Sequence, residues 1–181
     1  MKIIVSITFI LLLCNWSTLA QSKPKWMVNG QAGVLYGASE PAWQFQLITG
    51  ASYKTFSLGV GYGIDAYHTR SKPLFAHLRK NIFNKSQTPF VYLDLGGNSP
   101  TDRKQENNWQ IMEFSGGFYF DAGAGYSWAL GKRLRFNMGI GYSEKKIEEK
   151  RYPRFSINDL PWSESFDYTF RRLNLKAGVS F

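Results

Sequence analysis

Leu173-Asn174-Leu175-Lys176-Ala177-Gly178-Val179-Ser180-Phe181 decides the reading of this chain. Leu173, Leu175, Ala177, Val179 and Phe181 fall on one face at a period of two, and Asn174, Lys176, Gly178 and Ser180 on the other. Strict alternation predicts a β-strand with one apolar and one polar side. The pattern runs on to an aromatic residue at position 181, where a soluble domain would more often carry a polar, frayed tail.

The same alternation recurs along the chain. Eight stretches with strand character, near 28–36, 42–51, 55–67, 72–83, 89–97, 116–129, 132–144 and 167–181, are separated by turn signals. In the third, Phe56, Leu58, Val60, Tyr62 and Ile64 oppose Ser57, Gly59, Gly61, Gly63 and Asp65. In the fourth, Leu74, Ala76, Leu78 and Ile82 oppose His77, Arg79 and Asn81, with Phe75 dissenting. The sixth is the most informative, because its apolar face reads Phe118, Phe120, Ala122, Ala124, Tyr126, Trp128. Aromatics stand at both ends and small residues between. At about 3.3 Å per residue this face is roughly 33 Å long. Tilted by about 40°, it covers about 25 Å, the height of the apolar band on a transmembrane barrel with two aromatic girdles.

Glycine placement agrees. Gly-x-Gly-Tyr occurs at 59–62, 123–126 and 139–142, each time with the glycines on the polar face and the tyrosine on the apolar one. Such glycines are expected to leave room for long side chains arriving from across a narrow lumen. A dinucleotide-binding loop is excluded, since no helical period follows and the full glycine spacing is absent. Links Ser52–Lys54, Asn84–Thr88 and Leu130–Gly131 are short, whereas 98–115 and 145–166 are long, polar and charged. Tight turns at one end and long loops at the other are an outer-membrane pattern. Pro41, Pro73 and Pro89 are read at strand starts, and Pro24, Pro100, Pro153 and Pro161 in the lead or loops, so none interrupts a ladder.

Residues 1–20 read as a secretory signal: Lys2, an apolar run from Ile3 to Leu13, then Thr18-Leu19-Ala20 before Gln21. A run of about 11 residues is too short for a spanning helix. Cys14, the only cysteine, lies inside it behind Leu13 rather than a small residue, which argues against lipid attachment. The domain from 21 to 181 therefore reaches an oxidising compartment without a disulfide or a cysteine-built metal site. Its net charge remains basic, from +9 for the whole chain. Export makes nucleic acid an improbable partner, leaving solvated faces or anionic lipid headgroups to account for the charge.

Across residues 21–181 the sequence resembles the small eight-stranded outer-membrane β-barrels, OmpA/OmpX-like, most closely the short forms from Gram-negative Bacteroidota. The Gly-x-Gly-Tyr strands, Pro73 to Phe83, Phe90 to Gly97 and Leu173 to Phe181 carry the likeness. The resemblance implies an all-β, eight-stranded antiparallel up-and-down barrel in the outer membrane, exported through a signal peptide and monomeric. It implies outer-membrane lipids and lipopolysaccharide as surroundings. It further implies recognition of the strand ending at Phe181 by the barrel-insertion machinery.

The inward-facing candidates are Asp65, His77, Arg79, Tyr92, Asp94, Tyr119, Asp121, Arg133, Arg135, Arg172 and Lys176. In a barrel this narrow they are expected to pair as a polar plug. A gated pore is the competing reading. Some small outer-membrane barrels modify lipid A with a histidine, a serine and an acid, and His68, Ser71 and Asp65 lie close enough in sequence to raise that possibility. Nothing beyond proximity supports it. His68 and His77 alone do not make a metal site. Trp109, Tyr152 and Trp162 in the long loops could contact a partner or simply pack the loops. No catalytic, cofactor-binding or metal-ligating residue is assigned and no cofactor is expected. A structural or surface-interaction role is the primary reading, with a lipocalin-like carrier of a lipophile as the soluble alternative.

Overall fold

The computed structural model describes residues 24–37, 40–66, 70–107, 110–131, 133–153 and 164–181. The leader, His68, Trp109 and Trp162 lie outside these residues. The described strands are β1 (Lys25–Tyr36), β2 (Ala42–Tyr53), β3 (Phe56–Ala66), β4 (Arg70–Asn81), β5 (Gln87–Pro100), β6 (Lys104–Glu106), β7 (Gln110–Ala129), β8 (Arg135–Pro153) and β9 (Glu164–Ser180). Each barrel strand pairs antiparallel with its neighbours, and β5–β7 and β1–β9 pairings close the sheet into an eight-stranded barrel. The three-residue β6 lies outside the closed wall, on the upper part of β7.

The closure has a definite stagger. From Lys25 the partners run Ser52, Ser57, Arg79, Tyr92, Gly123, Gly141, Asn174 and back to β1 at Leu35, ten residues along. For eight strands this shear sets a tilt of about 40° and a radius of about 8 Å. Phe181 continues the seam, exchanging backbone hydrogen bonds of 2.9 and 3.2 Å with Val28.

Alternation decides what points where. Leu47, Leu58, Val60, Leu74, Ile140 and Leu175 are exposed around the outside, while His77, Asp94, Asp121 and Lys176 are buried inside. This arrangement is the inverse of a lipocalin-like carrier, whose apolar faces would turn inward, and the structure overturns that alternative.

Two expectations about the strands are corrected. The segments 98–115 and 145–166, expected as loops, largely continue as strand: β7 begins at Gln110, β8 runs to Pro153 and β9 starts at Glu164. Beyond the closed barrel β7, β8 and β9 therefore rise as a projecting sheet, with Phe114, Ile147 and Glu149 buried on its inner face. Pro100 and Pro153 end strands rather than sitting in loops, and Pro73 is the fourth residue of β4, not its start. Lacking an N–H, Pro73 coincides with a lapse in the β3–β4 ladder between Tyr62↔Leu74 and Asp65↔Ser71.

Phe75, which broke the alternation on sequence, obeys it in space. Its ring is 2% exposed and points inward, over Gly61 of the adjacent strand. A Cβ on Gly61 would fall inside that ring. Tyr92 lies against Gly123 and Gly141 in the same way, and Phe90 against Gly125. Phe75, Tyr92 and Phe90 are the direct cross-strand partners of Gly61, Gly123 and Gly125. Gly61, Gly123 and Gly125 thus accommodate rings from the adjacent strand, and Gly141 one from the strand beyond, rather than from across the lumen. Gly61→Ala is expected to cost about 1–3 kcal/mol through overpacking. In denaturant titrations its effect should couple to Phe75→Leu and be partly relieved in the double variant.

Candidate functional site: the charged barrel interior

The inward side chains form three connected tiers. In the middle tier, Asp121 from β7 accepts hydrogen bonds from Tyr92 (2.9 Å), Tyr119 (3.1 Å), Asn174 (2.7 Å) and Lys176 Nζ (2.6 Å). Its direct partner across the β5–β7 ladder is Asp94, a second fully buried carboxylate. Two such anions side by side need compensation. Lys176 lies 3.9 Å from Asp94, and His77 Nδ1 meets Asp94 Oδ1 at 2.5 Å. Gln46 ties the tier together, donating to Tyr119 (2.8 Å) and accepting from Lys176 (3.2 Å).

Towards the projecting sheet, Lys145 is 0% exposed and donates to Asp65 (2.6 Å) and to Ser71 Oγ (2.7 Å), while Ser71 donates to Asp65 (2.7 Å). Nearby, Arg172 Nη1 donates to the Glu40 carbonyl at 2.9 Å. Between the tiers Phe75 packs against Tyr119, with ring centres 5.4 Å apart and planes tilted by 36°, and Met27 and Ile48 pack beside them.

Towards the turn end stands Arg79. Its guanidinium donates to Asn81 (3.1 Å) and Asn137 (3.0 Å) and covers the Phe90 ring at 3.7 Å, with no carboxylate partner among the described residues. A cavity of about 20 Å³, bordered by Asn29, His77, Arg79 and Lys176, opens beside it. That is room for about one water. Asn29 Oδ1 and His77 Nε2 are buried there without a protein partner, and a water would satisfy both.

Of the expected inward residues, Asp65, His77, Arg79, Tyr92, Asp94, Tyr119, Asp121, Arg172 and Lys176 are buried inside. Two are corrected. Arg133 is exposed at the β7–β8 turn, and Arg135 is half-buried at the rim, where Nη2 donates to the Lys85 (2.8 Å) and Ser86 (3.3 Å) carbonyls. Residues so near a turn lie past the lumen, so strand parity alone misplaces them. Lys145 is the main residue missed, because its segment read as loop. Its parity with Ser143 and Gly141 would have found it had the strand been extended.

The lipid A chemistry needed His68, Ser71 and Asp65 together. Ser71 and Asp65 do touch, but the third member of the cluster is Lys145, and His68 is outside the described residues. On the projecting sheet, Arg151 pairs with Glu149 at 2.6 Å and lies 4.6 Å over Phe166. The Glu149 hydrogen bond holds the Arg151 guanidinium above its usual range, as Glu148 does for Lys150. Phe166, Tyr168 and Phe170 stack along β9, and Tyr152 is half-buried at the end of β8.

No family model and no curated protein matches the sequence. Solved structures do match the fold. The outer membrane protein OprG from Pseudomonas aeruginosa aligns with a TM-score of 0.61 at 11% identity, over 90% of this chain and 97% of that one. Neisserial surface protein A gives 0.55 at 13% identity, over 88% and 98%. The outer membrane protein AlkL, solved by solid-state NMR in DMPC bilayers, gives 0.54 at 13% identity, over 88% and 90%. At such identities the likeness speaks for architecture, and the architecture is plain: this chain has the fold of the small eight-stranded outer-membrane β-barrels.

Proposed function

We propose that the protein is an integral outer-membrane barrel whose interior is a structural plug and whose projecting β7–β8–β9 sheet is its interaction surface. One observation carries this reading: apolar side chains encircle the outside of a closed barrel whose ionised groups are folded around its axis. In water such an apolar belt would be a severe aggregation liability. In a bilayer it is the required surface, and closure leaves no unpaired edge within the apolar band. Glu144 and Arg171, paired at 3.3 Å on the outer face, mark where the belt gives way to charge at the upper boundary. The turns then face the periplasm and the sheet the exterior, amid lipopolysaccharide.

The role is non-enzymatic. Supporting this, Ser71 is fully buried with its hydroxyl committed to Asp65 and Lys145, the reverse of an accessible nucleophile. Membrane fractionation with a gel-shift assay tests the proposal. The protein should sediment with outer membranes, require detergent for extraction, and migrate faster in SDS before boiling than after. Planar-bilayer recordings should show no steady conductance. Recovery in the soluble periplasmic fraction would overturn the membrane assignment, and sustained ion flow would overturn the plug.

A further inference from the structure

Among the described residues, the turn end of the barrel carries cationic side chains and no Asp or Glu. Lys25, Lys54, Lys80, Lys85 and Arg133 are exposed there and Arg135 is half-buried. None of them pairs with a carboxylate among the described residues. The strand registers distribute them round the rim. Lys25 is opposite Ser52 just before the Lys54 turn, Lys80 is opposite Phe56 just after it, and Arg135 caps the turn holding Lys85. Every Asp and Glu among the described residues lies nearer the middle or the projecting sheet.

Depth is fixed independently by aromatic rings. Lys54 Nζ lies 5.4 Å from the Tyr53 ring centre, Lys80 4.9 Å from Phe56 and Lys85 5.9 Å from Phe83. Aromatics at the edge of an apolar belt sit at headgroup level, so these ammonium groups stand where lipid phosphates stand. Lys54 adds a conformational argument. Its φ of 52° is left-handed backbone, where Gly or Asn is favoured, so a lysine is kept there at a cost.

We propose that this collar selects anionic phospholipid headgroups of the inner leaflet. The inference rests on the membrane reading above and adds the leaflet and the lipid charge. A lysine near an anionic surface contributes about a fivefold preference, and salt screens it.

The test uses the protein folded into phosphatidylcholine vesicles containing spin-labelled phosphatidylglycerol or spin-labelled phosphatidylcholine. Electron paramagnetic resonance reads the motionally restricted, protein-bound fraction of each. The wild type should favour the anionic label about fivefold at low salt. K54Q/K80Q/K85Q should lower the ratio clearly, with Lys25, Arg133 and Arg135 holding it above one, and K72Q/K146Q, at the opposite end, should leave it unchanged. No preference in the wild type, or equal loss in both variants, overturns the proposal. So does a preference that the collar substitutions leave undiminished. Binding to isolated peptidoglycan sacculi that depends on the same three lysines, without lipid selectivity, would assign the collar to the cell wall instead. The heat-dependent gel shift on the same vesicles separates the two readings. Loss of the shift means that the barrel is not embedded, whereas an intact shift without selectivity defeats only the collar.

Discussion

Lys176→Met is expected to destabilise the folded barrel by about 3–5 kcal/mol, the largest effect of any single interior change. The ammonium is the nearest cation to Asp121, at 2.6 Å, and lies 3.9 Å from Asp94. Methionine matches its length, so the cavity contribution is small and the loss is electrostatic. Two neighbouring buried carboxylates are left with His77 and neutral hydrogen-bond donors only. Taking away one partner of a buried pair costs more than the pair itself contributes. Asp121→Asn added to Lys176→Met should therefore recover part of the loss, since the anion that had become uncompensated is gone. Denaturant titration of the vesicle-folded protein measures both. If the single variant were as stable as wild type, the middle tier would not be the electrostatic centre described above.

Ile140→Arg is the second large effect, at about 2–4 kcal/mol. Ile140 is 61% exposed and is paired with Ala124, near the middle of the Phe118–Trp128 face. On a water-facing surface, an exposed isoleucine replaced by arginine would scarcely change stability. In hydrocarbon the guanidinium must be desolvated or reach for the interface. The cost should fall to about 0–1 kcal/mol for Trp26→Arg, at the edge of the belt, although Trp26 is the more exposed at 74%. Equal and negligible effects at the two positions would place the outer face in water.

The architecture was legible because a barrel strand records its environment at a period of two, and eight such records agree. The sixth stretch even showed its height, through the aromatics at Phe118 and Trp128. Two kinds of information were missing. Residues 145–153, Lys-Lys-Ile-Glu-Glu-Lys-Arg-Tyr-Pro, carry charges on both faces and residue types that are poor in strands. They are strand because β7 and β9 flank them on both sides, a tertiary influence that no local window contains. Lys145 was lost with that segment. Phe75 looked misplaced for a related reason: an inward phenylalanine makes sense only beside Gly61, and that pairing depends on register. Within the interior, parity identified which side chains enter the lumen but not their partners. The union of Asp121 with Tyr92, Tyr119, Asn174 and Lys176 joins three strands and needs the stagger of ten residues to come about.

The seam between β1 and β9 has a kinetic consequence. It joins residues from nearly opposite ends of the chain, Asn29 with Ser180 and Tyr36 with Leu173. All other walls join strands close in sequence and can form as hairpins. The seam cannot form until the last strand has been synthesised, and closing so large a loop is entropically slow. Until then two strand edges stand open, each able to pair with the wrong chain. Completion of this barrel is thus a late event, and until then both edges of the unfinished chain stay open to mispairing.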